Sequence, residues 1–225
     1  MEQDCPPYLT TYRGIDEGSP RLLDLLGREK ISATFFSTGD VAERFPSTIS
    51  RIVAQGHELG CHGHTHRRFD RMGLNEAREE ITQASQALRR FYSVTSFRAP
   101  NLQFPGDYLP LLEQEGYKID SSEGKHKLPY YVRRKVATSL KRIPVSTTSS
   151  VLRLPDPLRR AIFSRLKSPV VLFVHPWEFV DLTKTRLRRD CRFKTGETAL
   201  QCLQETVAYF RGRGARFRKM EELGL

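Results

Sequence analysis

"ATFFSTGDVAERFPSTISRIVAQGHELGCHGHTH", residues 33 to 66, reads as a strand, a helix and a second strand in one run. "ATFFSTG" (33–39) is a short apolar stretch closed by a glycine, the pattern of a buried strand. "DVAERFPSTISRIVAQG" then carries its apolar residues at helical spacing and ends at Gly56. "HELGCH" (57–62) is the next strand. Two strands joined by a helix pair in parallel, because a tight turn cannot join parallel strands.

The alternation continues outward from this unit. "NEAREEITQASQALRRFY" (75–92) predicts a helix, "SFRAP" (96–100) a strand, "DYLPLLEQEG" (107–116) a helix closed by glycine, and "YKIDSS" (117–122) a strand. Residues 123–168 are irregular, rich in Lys, Arg, Ser, Thr and Pro, with a strand expected at "RIPVS" and a helix near "PLRRAIFSRL". "PVVLFVH" (169–175) reads as a fully buried strand, "ETALQCLQETVAYFRGRG" (197–214) as a helix and "RFRKM" as a last strand. The layout predicts an α/β fold with a parallel sheet, either a barrel or an open doubly wound sheet. A chain of 225 residues is long enough for one substantial core, so a single domain over 1–225 is expected.

Hydrophobic residues make up 38% and charged residues 28%, a globular balance that excludes a disordered chain. No apolar run approaches the roughly 20 residues of a membrane span. "MEQDCPPYL" lacks a basic region followed by an apolar stretch, so no signal peptide is read and a cytoplasmic location is expected. Cys5, Cys61, Cys191 and Cys202 show no CxxC spacing and are expected to be reduced thiols. The net charge of +11 clusters at 133–135, 184–194 and 211–219. With no nucleic-acid motif beside it, this charge reads as a solvated basic face rather than a nucleic-acid surface, and it would also suit an anionic substrate. A homo-oligomer is left open.

In either α/β architecture, polar residues at the C-terminal ends of strands build the site. The residues that stand out there are Asp4, His62, Arg98, Asp120 and His175. His62, His64 and His66 fall within five residues. On a helix, His62 and His66 would share one face about 6 Å apart along the axis. Gly60 and Gly63 argue instead for a strand entering a tight turn, which also converges them. Imidazole plus carboxylate is a common zinc set, and a third ligand would leave a position open for water. Asp4 is the natural third, with Glu2 on the same face of an extended chain. Arg98 stands between a strand and the rigid Pro100, and His175 ends an apolar run beside the sole tryptophan, Trp177.

The ordered set Asp4, "HGHTH" (62–66), "RAP" (98–100), "DSS" (120–122) and "VHPWE" (174–178) resembles the polysaccharide deacetylase family, carbohydrate esterase family four. The closing HPWE and the acidic pair spaced by one residue are similar to its intracellular branch, with peptidoglycan deacetylase-like and allantoinase-like members. The resemblance spans residues 2 to about 180. It implies a distorted TIM-like (β/α)7 barrel and a hydrolase that removes acetyl groups from an N-acetylated saccharide or glycan. Asp4, His62 and His66 would bind a divalent metal, most often zinc. Glu2 would be the base, Arg98 its orienting partner, His175 the acid and Asp120 the holder of its imidazole. A backbone N–H near Asn101 would face the oxyanion, and His64 and Trp177 would contact substrate.

The chain departs from the family pattern in having Glu2 for aspartate, Phe173 for leucine, Glu123 in place of the fourth motif's tryptophan, and the additional His64. Three other readings compete. One is a cyclic-amide hydrolase on the same fold. Another is a non-catalytic barrel binding an anionic polymer. The third is a structural zinc knot of Cys5, Cys61, His62 and His66, whose closed coordination would leave no water.

Overall fold

The computed structural model describes residues 12–132 and 136–223. A π-helical turn, Gly14–Gly18, runs into α1 (Ser19–Arg28). There follow β1 (Thr34–Ser37), α2 (Gly39–Arg44), α3 (Pro46–Ala54), β2 (Glu58–Cys61), α4 (Leu74–Leu88), β3 (Ser96–Phe97) and α5 (Leu109–Gln114). Next come β4 (Ile119–Asp120), α6 (Pro129–Val132), β5 (Lys141–Arg142), α7 (Asp156–Phe163), α8 (Arg189–Arg192), α9 (Glu197–Arg211) and α10 (Met220–Leu223). These elements form two compact units. Among the described residues, one comprises those within Ser32–Val145 together with 218–223, the other 12–31 and Ser146–Phe217.

The first unit is built on a five-stranded sheet in the order β1-β2-β3-β4-β5, with every pair parallel. Strand order that follows chain order is the winding of a β/α barrel, whereas a doubly wound sheet reverses its order midway. Beneath the strands, Phe69, Phe97, Phe104 and Tyr117 pack edge to face, with Phe97 5.6, 5.2 and 5.6 Å from Phe69, Phe104 and Tyr117. All four are buried. The single helix expected over 40–56 is two. Phe45, at φ −127° and ψ 53°, separates α2 from α3 because Pro46 disfavours helical backbone in the residue before it. The Thr38 hydroxyl caps α2 by accepting from the Val41 N–H at 3.3 Å.

The second unit packs α1, α7 and α9. Leu22, Leu25 and Leu26 of α1 are buried, and Phe163 of α7 sits 5.5 and 5.1 Å from the rings of Tyr209 and Phe210. Helix α1 is absent from the sequence expectation, although Pro20 in its first turn and its leucine spacing signal it. Two expected strands do not form. Residues 169–175 join no strand ladder, and among 171–175 only Val171 is buried. Its carbonyl accepts from the Ser146 N–H at 2.9 Å, but its own N–H goes to the Ser146 hydroxyl, so no ladder propagates. "RFRKM" is likewise irregular until Met220 opens α10, since its three cations leave little apolar surface to bury.

Candidate active site

Register decides which side chains reach the C-terminal rim of the sheet. Ser37, Cys61, Phe97, Asp120 and Arg142 form one row across β1 to β5. The next residues along β2 and β3 are His62 and Arg98. Their N–H groups extend the ladder, to the Ser37 carbonyl at 2.8 Å and the Cys61 carbonyl at 2.9 Å. Both therefore emerge where a parallel sheet presents its functional groups.

Past His62 the chain turns at Gly63, φ +78°. The N–H groups of Gly39 and Asp40, at the start of α2, hold the carbonyls of Gly63 and His64 at 3.0 Å each. Glu80 of α4, buried, clasps the loop from the other side. Its Oε1 accepts from the N–H of His64 (2.9 Å), the N–H of Thr65 (2.5 Å) and the Thr65 hydroxyl (2.8 Å). His66 adopts a left-handed φ of +65°, and its ring centroid comes to 4.8 Å from that of His62. His62 Nδ1 lies 2.5 Å from the Arg98 carbonyl. A carbonyl only accepts, so Nδ1 carries the proton and Nε2 keeps its lone pair. That is the tautomer of a metal-ligating histidine, oriented by a hydrogen bond from its other nitrogen.

The expected third ligand Asp4 and base Glu2 lie outside the described residues, as does Cys5. Among the described residues, no group of three or more His, Cys, Asp or Glu is placed to hold a metal. Cys61 gives the zinc-knot reading no support. Its thiol is fully buried and burial pushes it up to about 11, against hydrogen bonds with Tyr117 and Gly63. It stays protonated at neutral pH, whereas metals bind the thiolate.

Arg98 is buried, with its guanidinium 4.3 Å over the Phe36 ring and Nη2 donating to the Ser121 hydroxyl at 2.8 Å. Burial pushes it down to about 10, opposed by Asp120 and Glu58, so it remains a cation at neutral pH. Asn101 has a left-handed φ of +57°, is exposed, and its carbonyl accepts from Lys127 Nζ. His64 is half-buried, and its ring packs against Gly39 at the start of α2: a Cβ built on Gly39 would meet His64 Nδ1 at 2.3 Å and the Ala84 Cα at 3.0 Å. The loop turns at Gly63, so its alternate side chains do not share one face.

Asp120, expected to hold the His175 imidazole, is engaged elsewhere. The register sets it opposite Arg142, and Oδ2 pairs with Arg142 Nε at 2.6 Å while Oδ1 accepts from the Ser122 hydroxyl at 2.5 Å. Burial raises its carboxyl above the usual range, partly offset by Arg142 and Ser122.

In the second unit, the partner of His175 is Glu178. His175 Nδ1 lies 2.8 Å from Glu178 Oε1, which also accepts from the His175 N–H at 2.9 Å. The buried Arg153 faces the other carboxylate oxygen, Nε to Oε2 3.0 Å. Burial raises the Glu178 carboxyl, but the His175 hydrogen bond, the imidazole charge and Arg153 hold it below its ordinary value. Trp177 stacks on the His175 ring at 5.1 Å and 18°. The sequence signal for Glu178 is its place three residues after His175, with Pro176 between, which is the spacing of a capping box.

The polysaccharide deacetylase family profile matches residues 4–119, just over half of the chain. The chain belongs to the polysaccharide deacetylase family. It is 34% identical over 105 residues to a peptidoglycan-N-acetylglucosamine deacetylase of Bacillus cereus, covering 46% of this chain and 38% of that protein. It is 32% identical over 137 residues to a peptidoglycan deacetylase of Helicobacter pylori, covering 58% and 46%. The chain thus spans less than half the length of these relatives. A solved Bacillus anthracis protein described as a pseudoenzyme of carbohydrate esterase family 4 superposes with a TM-score of 0.66 at 15% identity, covering 94% of this chain and 62% of that one. The polysaccharide deacetylase fold, an α/β barrel type with a parallel sheet, is therefore shared well beyond sequence similarity. Because a pseudoenzyme shares it, chemistry must be argued from side chains. Among the described residues, no helix is long and apolar enough to cross a membrane.

Proposed function

We propose that this chain is a metal-dependent deacetylase that removes N-acetyl groups from an N-acetylated saccharide or glycan. The observation that carries the reading is the contact of His62 Nδ1 with the Arg98 carbonyl at 2.5 Å, which puts the proton on Nδ1 and the lone pair on Nε2, with the ring of His66 4.8 Å away. The names of the matched deacetylases support it.

The donor set fits a divalent ion. His62 and His66 would hold it with Asp4, a two-imidazole, one-carboxylate set that suits zinc and leaves a position for water. Once bound, the ion would supply a Lewis acid and a water whose pKa falls toward about 7. The chain's own residues do the rest. Glu2 takes the proton from the attacking water, and Arg98, still cationic in its buried site, orients that carboxylate. His175, its Nδ1–H directed to Glu178, holds a proton at Nε2 and hands it to the departing amine. The Trp177 stack fixes the plane of the ring that makes this transfer.

The test is acetate release from N-acetylglucosamine oligomers together with metal analysis. Expected are a bound divalent metal, loss of turnover in chelator, recovery on adding zinc, and loss of the metal in His62→Ala. Undiminished turnover by metal-free protein would overturn the mechanism.

A further inference from the structure

The segment from Asp181 to Thr195 follows directly on the turn that carries His175 and Glu178, and lies beyond the family match at 4–119. It holds six cations, Lys184, Arg186, Arg188, Arg189, Arg192 and Lys194, against two carboxylates, Asp181 and Asp190, a net of +4 from 6 − 2. Both carboxylates are occupied locally. Asp190 pairs with Arg188 at 2.5 Å, and Asp181 accepts from the Thr183 N–H and hydroxyl at 3.0 and 2.6 Å. Arg186 and Arg189 are exposed and have no ion-pair partner among the described residues. Phe193, later in the same segment, shows 37% of its surface, and the Lys194 Nζ stands 5.4 Å from its ring.

This segment is packed in place. Leu182 and Leu187 are buried with Val180, and Trp177 and Cys191 pack against them. The Leu182 N–H donates to the Thr195 hydroxyl at 2.9 Å, closing the base of the loop. Three of its carbonyls grip the buried Arg153: Phe193 at 2.5 Å, Asp190 at 3.1 Å and Cys191 at 3.3 Å. The same guanidinium meets Glu178, which holds His175. A merely solvated basic face needs no such anchoring.

We propose that Asp181–Thr195 is a recognition loop for an anionic N-acetylated glycan. Arg186 and Arg189 take its carboxylate or phosphate through paired N–H donors, and Phe193 takes the apolar face of a sugar ring. Arg153 couples the loop to the acid. Single-stranded nucleic acid would also satisfy cations beside an aromatic ring, but the link through Arg153 to the proton donor favours the glycan. The inference rests on the deacetylase reading and narrows its substrate class.

The experiment measures binding and acetate release with three oligomers of N-acetylglucosamine: neutral, carboxylated with hexuronate units, and carrying phosphate monoesters. An anionic oligomer is expected to bind about tenfold more tightly than the neutral one at low salt, with the advantage shrinking as salt rises. The two anionic arms tell carboxylate from phosphate. R186Q/R189Q should erase the preference, whereas R213Q/R216Q, which removes the same charge at the end of α9, should keep it. Equal binding of all three oligomers, equal loss in both double variants, or tighter binding of single-stranded DNA of the same length would overturn the assignment. A binding preference without acetate release from any oligomer would sink the deacetylase reading and leave the loop standing.

Discussion

One oxygen of Glu178 holds His175 twice, accepting from its backbone N–H at 2.9 Å and facing its ring Nδ1 at 2.8 Å. The other oxygen faces Arg153 at 3.0 Å. The chain thereby fixes where the imidazole stands and sets its Nδ1 against the carboxylate.

If this pair is the acid of the reaction, its carboxylate matters more to rate than that of Asp120. Glu178→Gln keeps the shape but loses the anion, and kcat for acetate release should fall about a hundredfold, within the range for positioned acid catalysis. Asp120→Asn should cost the folded enzyme much less in rate, because that carboxylate is spent on Arg142. Steady-state kinetics on samples matched for folded fraction decide it. Equal losses would return the acid-holding role to Asp120.

The same carboxylate ties stability to acid pH. Glu178 is held below its ordinary value in the fold, so the unfolded chain binds its proton more readily. Its contribution is complete above the usual carboxylate range and is lost as pH falls through the depressed folded value. Melting curves between pH 7 and pH 3 should show wild type losing stability more steeply than Glu178→Gln. Parallel curves would mean that the depression is absent.

Glu80 gives a prediction about the histidine loop. It accepts three hydrogen bonds from His64 and Thr65, which lie between His62 and His66 in the chain. Glu80→Ala leaves two loop N–H donors without that acceptor and loosens the turn that converges the two rings. Metal affinity, read by competition with a chromophoric chelator, should fall between about tenfold and a hundredfold, as for other residues that orient ligands. Glu80→Gln should recover part of it.

Cys61 and His62 are neighbours with opposite expected behaviour. The thiol, pushed up to about 11 by burial, belongs to the core. Cys61→Ser should therefore leave metal content unchanged and lower stability by about 1–3 kcal/mol, the cost of a poorly satisfied buried polar group. His62→Ala should do the reverse, losing metal with a smaller change in melting. Metal loss in Cys61→Ser would revive thiolate coordination.

The first four strands were legible because each joins an apolar run to a glycine or polar end, and because parallel pairing demands intervening helices. The placement of His62 and Arg98 at the strand ends was legible for the same reason: each falls one residue past a shared row. What could not be read was longer in range. Nothing local says that Asp120 meets Arg142, since the pairing follows from the register of two strands 20 residues apart. The apolar run at 169–175 looked like a strand because periodicity reports burial tendency, not the presence of a neighbouring ladder. Helix α1 carries its own local signals, a proline in the first turn and leucines at helical spacing.

The placing of His64 supplies the last prediction. A Cβ on Gly39 would stand 2.3 Å from His64 Nδ1 and 3.0 Å from the Ala84 Cα. Gly39→Ala must displace the ring, because the helix backbone can yield little, and should destabilise by about 1–3 kcal/mol, as overpacking does. In a His64→Ala background much of that cost should vanish, giving a coupling that a double-mutant cycle on chemical denaturation measures. His64→Ala alone should lower stability while leaving KM within about twofold, if the ring serves to pack against Gly39. A large rise in KM with unchanged stability would move His64 back to the substrate.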